Sequence, residues 1–345
     1  MSKIVYLIGA GASRGIRTTD KSPNDSSTNK IVEGMPIVSE IDERLGYFQN
    51  EISEFYRLRS NEFAEDVKYD VNKLISGFAW LREEASKHAT IDTFAKKLFL
   101  TKDIESYDSV KFLLSLYFFM EQITNKPDSR YDTFYASLLT TDLKLPDEIK
   151  ILSWNYDSQF EIMYKEYDKS IKYERIGEKL GVCDLKSDNT IQNPSIIKLN
   201  GTAGFKMMSD PIFFKSVGIK HSYTIEAIVK RYSSKYNGDK TTLSFAWDNT
   251  KTDNFNVVSN CISDAEALVV IGYSFPFFNI SVDRSIFKEM KHLKHIYIQD
   301  PYADKIKERL RPYLAVMEQN DHSGIYSIKT EIIRDCSQFC IPDEL

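Results

Sequence analysis

The sequence predicts an α/β fold: a Rossmann-like parallel sheet flanked by helices, carrying a helical insertion and a small cap module. Three observations predict it. Five short apolar runs recur along the chain, each ends in small or polar residues, and stretches of helical pattern separate them. Runs of this length, rich in Ile and Val and bounded by turn residues, read as strands buried on both faces of a parallel sheet. In such sheets a ligand lies across the carboxyl ends of the strands, so five decorated ends imply one composite site.

The elements follow in order. Ile4–Ile8 is the first strand and runs into Gly9-Ala10-Gly11-Ala12-Ser13. Met1–Ala12 loosely imitates a signal peptide, but its apolar stretch is short and the strand-and-turn reading accounts for the same residues. Thr18–Lys30, rich in Thr, Ser, Asn and Asp, is a loop ended by Gly34-Met35-Pro36. Helical pattern resumes over Ile37–Phe48 and fills an insertion over 50–145. There Val110–Ile123 is apolar around most of its circumference, as a buried helix is. The second strand, Ile149–Leu152, meets Ser153-Trp154-Asn155-Tyr156-Asp157, and a helix follows over Ser158–Tyr167. After a mixed region comes Ile196–Leu199 with Asn200-Gly201-Thr202. Residues 205–255 form the cap module, with a helix around Thr224–Tyr232. Leu268–Ile271 with Gly272-Tyr273-Ser274, a helix over Phe287–Leu293, and Ile296–Ile298 with Gln299-Asp300 close the sheet. The whole chain, 1–345, reads as one Rossmann-like domain bearing the two insertions.

Composition bounds the function. The 345 residues are 42% hydrophobic and 28% charged, the balance of a globular chain rather than a disordered or membrane one. A net charge of −5 argues against a broad nucleic-acid footprint, and Lys288, Lys291, Lys294 and Lys305 read as a solvated helix face. Four cysteines without a CxxC pair argue against a zinc ribbon or a disulfide framework, so no metal is expected and a reducing cytoplasm suits the chain. Phe112–Met120, the longest apolar segment, falls far short of the ~18 residues that span a bilayer.

The strand ends carry the chemistry. Gly9, Ala10, Gly11, Ala12 and Ser13 form either a backbone amide cradle for phosphate or a tight strand-to-helix turn with no ligand. Asn155 and Asp157, two apart in extended chain, face one side and can enter one cleft, or Asp157 caps the next helix. Gly272 and Ser274 offer an amide and a hydroxyl, or a plain turn. Gln299 reads ribose hydroxyls or an adenine edge, or simply terminates its strand.

Taken in chain order, these segments resemble the sirtuin-like NAD-binding family, in particular its bacterial NAD-hydrolysing, phage-defence branch. The first glycine turn with Gly34-Met35-Pro36 resembles the family's GAG-S and G-x-P elements, and Ser153–Asp157 its T-Q-N-x-D segment. Lys198–Gly201 is similar to K-x-H-G, Gly272–Ser274 to G-T-S and Ile298-Gln299 to I-N. The resemblance implies NAD⁺ as substrate and no metal. Asn155 would orient a water or the ribose at the nicotinamide-ribosyl bond, and Asp157 would sit near the carboxamide. The turn 9–13, Pro36, Gly201, Gly272 and Ser274 would line the dinucleotide, and Gln299 would hold the adenosine ribose.

Two departures shape the expectation. Asn200 stands where the family has its histidine base, and asparagine cannot accept a proton at neutral pH. Losing general-base help costs about 10²–10⁴ in rate. The zinc ribbon of protein deacylases is missing, as is the D-F-R triplet after G-I-P, which argues against acyl-lysine substrates. The resemblance therefore implies an NAD⁺ hydrolase depleting cellular NAD in anti-phage defence, held silent by self-association or a separately encoded sensor. The alternative is an inactive NAD or ADP-ribose binding subunit, with Asn200 natural or engineered.

Overall fold

The computed structural model describes residues 3–18, 30–185, 191, 193–203, 243–248, 252–319 and 328–344. The contacts divide the chain into two compact units. The first gathers Met1–Gly15, Asp128–Gly201 and Ser244–Leu345, and the second holds Ile16–Pro127 with the segment bounded by Thr202 and Leu243. Most of the predicted cap module, 205–255, lies outside the described residues.

The chain runs β1 (Lys3–Ile8), α1 (Ile41–Arg59), α2 (Glu65–Lys87), α3 (Ile91–Thr101), α4 (Ile104–Thr124), α5 (Ser129–Leu138) and β2 (Ile149–Ser153). It continues through α6 (Gln159–Tyr167), α7 (Ile176–Leu180), β3 (Val182–Asp184), β4 (Ile196–Lys198), α8 (Thr252–Ile262) and β5 (Ala265–Ile271). The described part ends with α9 (Ile280–Glu289), β6 (His295–Gln299), α10 (Ala303–Gln319) and β7 (Lys329–Ile333).

The first unit is a seven-stranded sheet of order β3-β4-β2-β1-β5-β6-β7. Every pairing is parallel. The α/β, Rossmann-like expectation therefore holds. The chain runs from β1 to β2, places β3 at the edge and β4 between β3 and β2, then crosses to β5 on the other side of β1, so the topological switch point lies at β1 and β5.

Burial follows strand alternation. Val5, Leu7, Leu152, Leu268, Val270, Ile296 and Ile298 point into one apolar core with Val258 and Ile262 of α8, Ile286 and Phe287 of α9, and Leu310 of α10. The opposite face receives α5, where Tyr6 meets Phe134 edge-on at 5.1 Å. Residues 335–344 cover that same face along β6. Gln299 Nε2 donates to the carbonyls of Asp335 (2.7 Å) and Gln338 (2.6 Å), while Gln299 Oε1 accepts from the Cys340 amide. Tyr297 donates to Glu344 at 3.0 Å, His295 also meets Glu344, and Tyr6 donates to the Cys340 carbonyl.

The second unit contains α1–α4. Thr90 and Asp103 cap α3 and α4 by accepting from the Thr93 and Ser106 amides. As expected of Val110–Ile123, α4 is buried nearly all round. One polar exception is Glu121, fully buried, which accepts from Arg44 at 2.7 Å and from Asn125. Arg17, also fully buried, pairs with Glu40 and donates to the Met35 carbonyl beside Pro36.

Strands β3 and β7 and the helix before β6 differ from the sequence expectation, which also named neither α8 nor α10. β3 is only Val-Cys-Asp, and β7 is half-exposed at the sheet edge, so neither carries the apolar run that marks a central strand. The helix placed over Phe287–Leu293 lies instead at Ile280–Glu289. Met290 and Leu293 are core residues held in a turn, which in sequence imitates the helix's own apolar stripe.

Candidate functional site

Backbone hydrogen bonds lace the carboxyl ends of five strands side by side. Leu199 N donates to Ser153 O (2.9 Å), Trp154 N to Ile8 O (2.9 Å), Gly9 N to Ile271 O (3.0 Å) and Gly272 N to Gln299 O (3.1 Å). Asn200, Asn155, the glycine turn, Gly272 and Gln299 therefore stand in one row. Four inter-strand spacings make that row roughly 19 Å long.

The glycines owe their identity to close packing at the switch point. A Cβ on Gly9 would lie 2.6 Å from Gly272 O, and one on Gly272, at φ +58°, would lie 2.1 Å from Ala12 N. The amides of Gly9, Gly11, Ala12 and Arg14 all donate within the protein, to Ile271, Gly272, Gly9 and Gly11 carbonyls respectively. The tight-turn reading thus accounts for these residues, and a phosphate held by the same amides would have to displace those bonds. Ala10 is exposed beside them.

Beyond the turn, the side chains converge. Ser13 is buried and its Oγ lies 2.7 Å from the Tyr131 hydroxyl. Asn155 Nδ2 donates to that same Oγ at 3.0 Å, which turns the Asn155 carbonyl oxygen away from Ser13. Asp157 accepts from the Gln159 amide two residues on, an Asx turn that leads into α6, whose N-cap Ser158 makes no side-chain cap bond. Its carboxyl is also buried, and burial raises its pKa against the opposing pull of Lys198 and the Ser13 hydroxyl. Lys198, fully buried on β4, donates to the Asp157 carbonyl at 2.6 Å and sits 3.7 Å from Glu161. Burial raises the Glu161 carboxyl as well.

Asn200 stands at the end of β4, 7% exposed. Its Nδ2 reaches the Tyr156 hydroxyl at 3.5 Å, and its Oδ1 is buried without a hydrogen-bond partner. A buried acceptor left unpaired costs about 1–3 kcal/mol, so this oxygen is a place where a ligand donor would gain. Gly201 follows at φ +72° and is buried.

The β5 and β6 ends behave differently. Ser274 is exposed and its carbonyl accepts from Arg309 at 2.6 Å. Tyr273 stacks on Trp154 with ring centroids 6.0 Å apart and donates to Asp283 at 2.8 Å. Asp283 is fully buried and burial pushes its pKa up to about 8. Gln299 is spent on the C-terminal segment by the three bonds given above. Pro36 belongs to the second unit, where the neighbouring Gly34, at φ +81°, donates to Lys126 O.

Sequence reasoning overlooked Tyr131, Glu161 and Asp283. Each sits on a helix rather than at a strand end, Tyr131 118 residues from Ser13 and Asp283 ten from Tyr273, and no local motif marks it. Among the described residues no three His, Cys, Asp or Glu side chains are grouped as a metal site requires, and no helix is long and apolar enough to cross a membrane. No family model matches this chain, and no curated protein or solved structure is similar enough to count as a match.

Proposed function

We propose that this chain is an NAD⁺ hydrolase, taking NAD⁺ and water to nicotinamide, ADP-ribose and a proton. One observation carries the reading: Asn155 is fixed by Ser13 across the β1 and β2 ends, beside the unpartnered buried oxygen of Asn200. Two amide oxygens at adjacent strand ends suit a ligand that brings hydroxyl donors, as a ribose or an attacking water does.

In this reading Asn155 aligns the water or ribose at C1′ and Asp157 lies near the carboxamide. Nicotinamide leaves as a neutral amine, so no acid need protonate it, and alignment with charge stabilisation supplies the catalysis. Asn200 accepts a hydrogen bond from the nucleophile but takes no proton, which passes to solvent. Turnover is slow as a consequence. The role as an NAD-depleting effector of anti-phage defence rests on the sequence resemblance alone.

A second reading is favoured by a specific observation: the residue at the end of β4 is Asn200, which is no base. The chain is then an NAD or ADP-ribose binding subunit without turnover. Chromatographic assay of nicotinamide release decides between them. For the hydrolase, Asn155→Ala lowers release by about 10²-fold, and Asn200→His raises it by about 10² or more. Tight NAD⁺ binding with no release from either the native chain or Asn200→His would establish the binding subunit instead.

A further inference from the structure

The least expected member of the site is Tyr131, which comes from α5 rather than from a strand end. It is 1% exposed. Its ring is held edge-on between Phe160 (centroids 4.7 Å apart) and Phe339 (5.0 Å). With the ring so clamped, the phenol oxygen lies 2.7 Å from Ser13 Oγ.

Arg130, one residue earlier, anchors the same clamp. Its guanidinium pairs with Asp128 at 2.6 Å and donates to the carbonyls of Ala12 (2.8 Å) and Cys336 (3.2 Å). It also lies over the Phe339 ring at 5.2 Å. The glycine turn, the start of α5 and the C-terminal segment are thereby joined by one side chain.

Donor and acceptor counting orders the bonds at Ser13. A serine hydroxyl has one proton to give and two lone pairs. Asn155 Nδ2 occupies one lone pair. That leaves the serine one lone pair and its own proton. The Tyr131 phenol, 2.7 Å away, engages one of the two. Tyr131, Ser13 and Asn155 are thus bonded in a row, and the serine rotamer sets the direction of the Asn155 amide.

We propose that Tyr131 is a positioning residue: its bond to Ser13 locks the serine hydroxyl, and through it the Asn155 amide, in the orientation the substrate meets. As a statement about rate this rests on the NAD⁺ hydrolase reading; as a statement about geometry it does not. A role carried through Ser13 also makes the two residues act as a unit, so their losses should not add.

The test is a double-mutant cycle of Tyr131→Phe and Ser13→Ala, read in two ways. In nicotinamide release, Tyr131→Phe is expected to lower kcat about tenfold with KM within about twofold of native. The double variant is expected to be no slower than Ser13→Ala alone. Separately, the ¹⁵N side-chain amide signal of Asn155, assigned by its loss in Asn155→Asp, should shift in Tyr131→Phe and in Ser13→Ala, with no further shift in the double variant. An unchanged kcat, additive losses or an unmoved Asn155 signal overturns the proposal. If the native chain releases no nicotinamide, the hydrolase reading fails and the Asn155 signal alone decides. Should Tyr131→Phe not fold, Phe339→Leu, which keeps the phenol but slackens its clamp, takes its place: a lower kcat with an unmoved KM and a shifted Asn155 signal supports the role, and no change in either refutes it.

Discussion

On the β2 and β4 side of β1, the polar residues that follow the strands keep binding capacity in hand. Asn155 presents its carbonyl oxygen away from Ser13, and Asn200 Oδ1 is buried with no partner. On the β5 and β6 side the equivalent positions are spent. Gly272 is wedged against the first glycine turn, and both ends of the Gln299 amide hold the C-terminal segment. The two halves use similar residue types at similar places in the sheet. What separates ligand-facing from scaffold is whether hydrogen-bonding capacity is already consumed, a property no single residue type reveals.

The largest effect that tests this contrast is on stability at the switch point. Gly272→Ala would press a Cβ to 2.1 Å from Ala12 N at a positive φ. It is expected to cost about 4 kcal/mol or more, read as lost soluble yield and a lower denaturant midpoint. Near-native stability would mean the two turns do not bear on each other as described.

Gln299→Ala comes next. It strips partners from two carbonyls and one amide and is expected to cost about 2–3 kcal/mol in chemical denaturation, while KM for NAD⁺ stays within about twofold. Weaker nucleotide affinity at unchanged stability would move Gln299 to the ligand-facing half and erase the comparison.

The smallest effect concerns Asp283. Its carboxyl titrates at about 8 in the folded chain, against roughly 4 when unfolded. Between those values the folded state keeps a proton that the unfolded state releases, so stability falls as pH rises through that window. Asp283→Asn removes this slope. Its melting temperature is expected to gain on native by a few °C between pH 5 and pH 8, with nicotinamide release unaltered at either pH. A gap that stays constant with pH would show that the buried carboxyl is not held neutral.

Much of this was legible in the sequence, and the physical reasons differ by element. The central strands β1, β2, β4, β5 and β6 are covered on both faces, so their apolar runs stand out; the edge strands β3 and β7 are not. Asn155, Asp157 and Asn200 could be placed because a strand end fixes its own loop. Gln299 looked like a ligand contact because its rivals for that amide, Asp335, Gln338 and Cys340, lie 36 to 41 residues away. Tyr131 was invisible for the same reason, being 118 residues from Ser13. Long-range partners decide how a polar group is used, and one chain read alone does not display them.

The bond from Tyr6 to the Cys340 carbonyl joins groups 334 residues apart. Together with the Arg130 bridge to Cys336, it ties the first strand and its glycine turn to residues 336–340. Contacts of such separation are closed late and slowly. Helices can therefore form early from local contacts, while the strand-end chemistry stays unassembled until residues 335–344 have docked along β6 and β1.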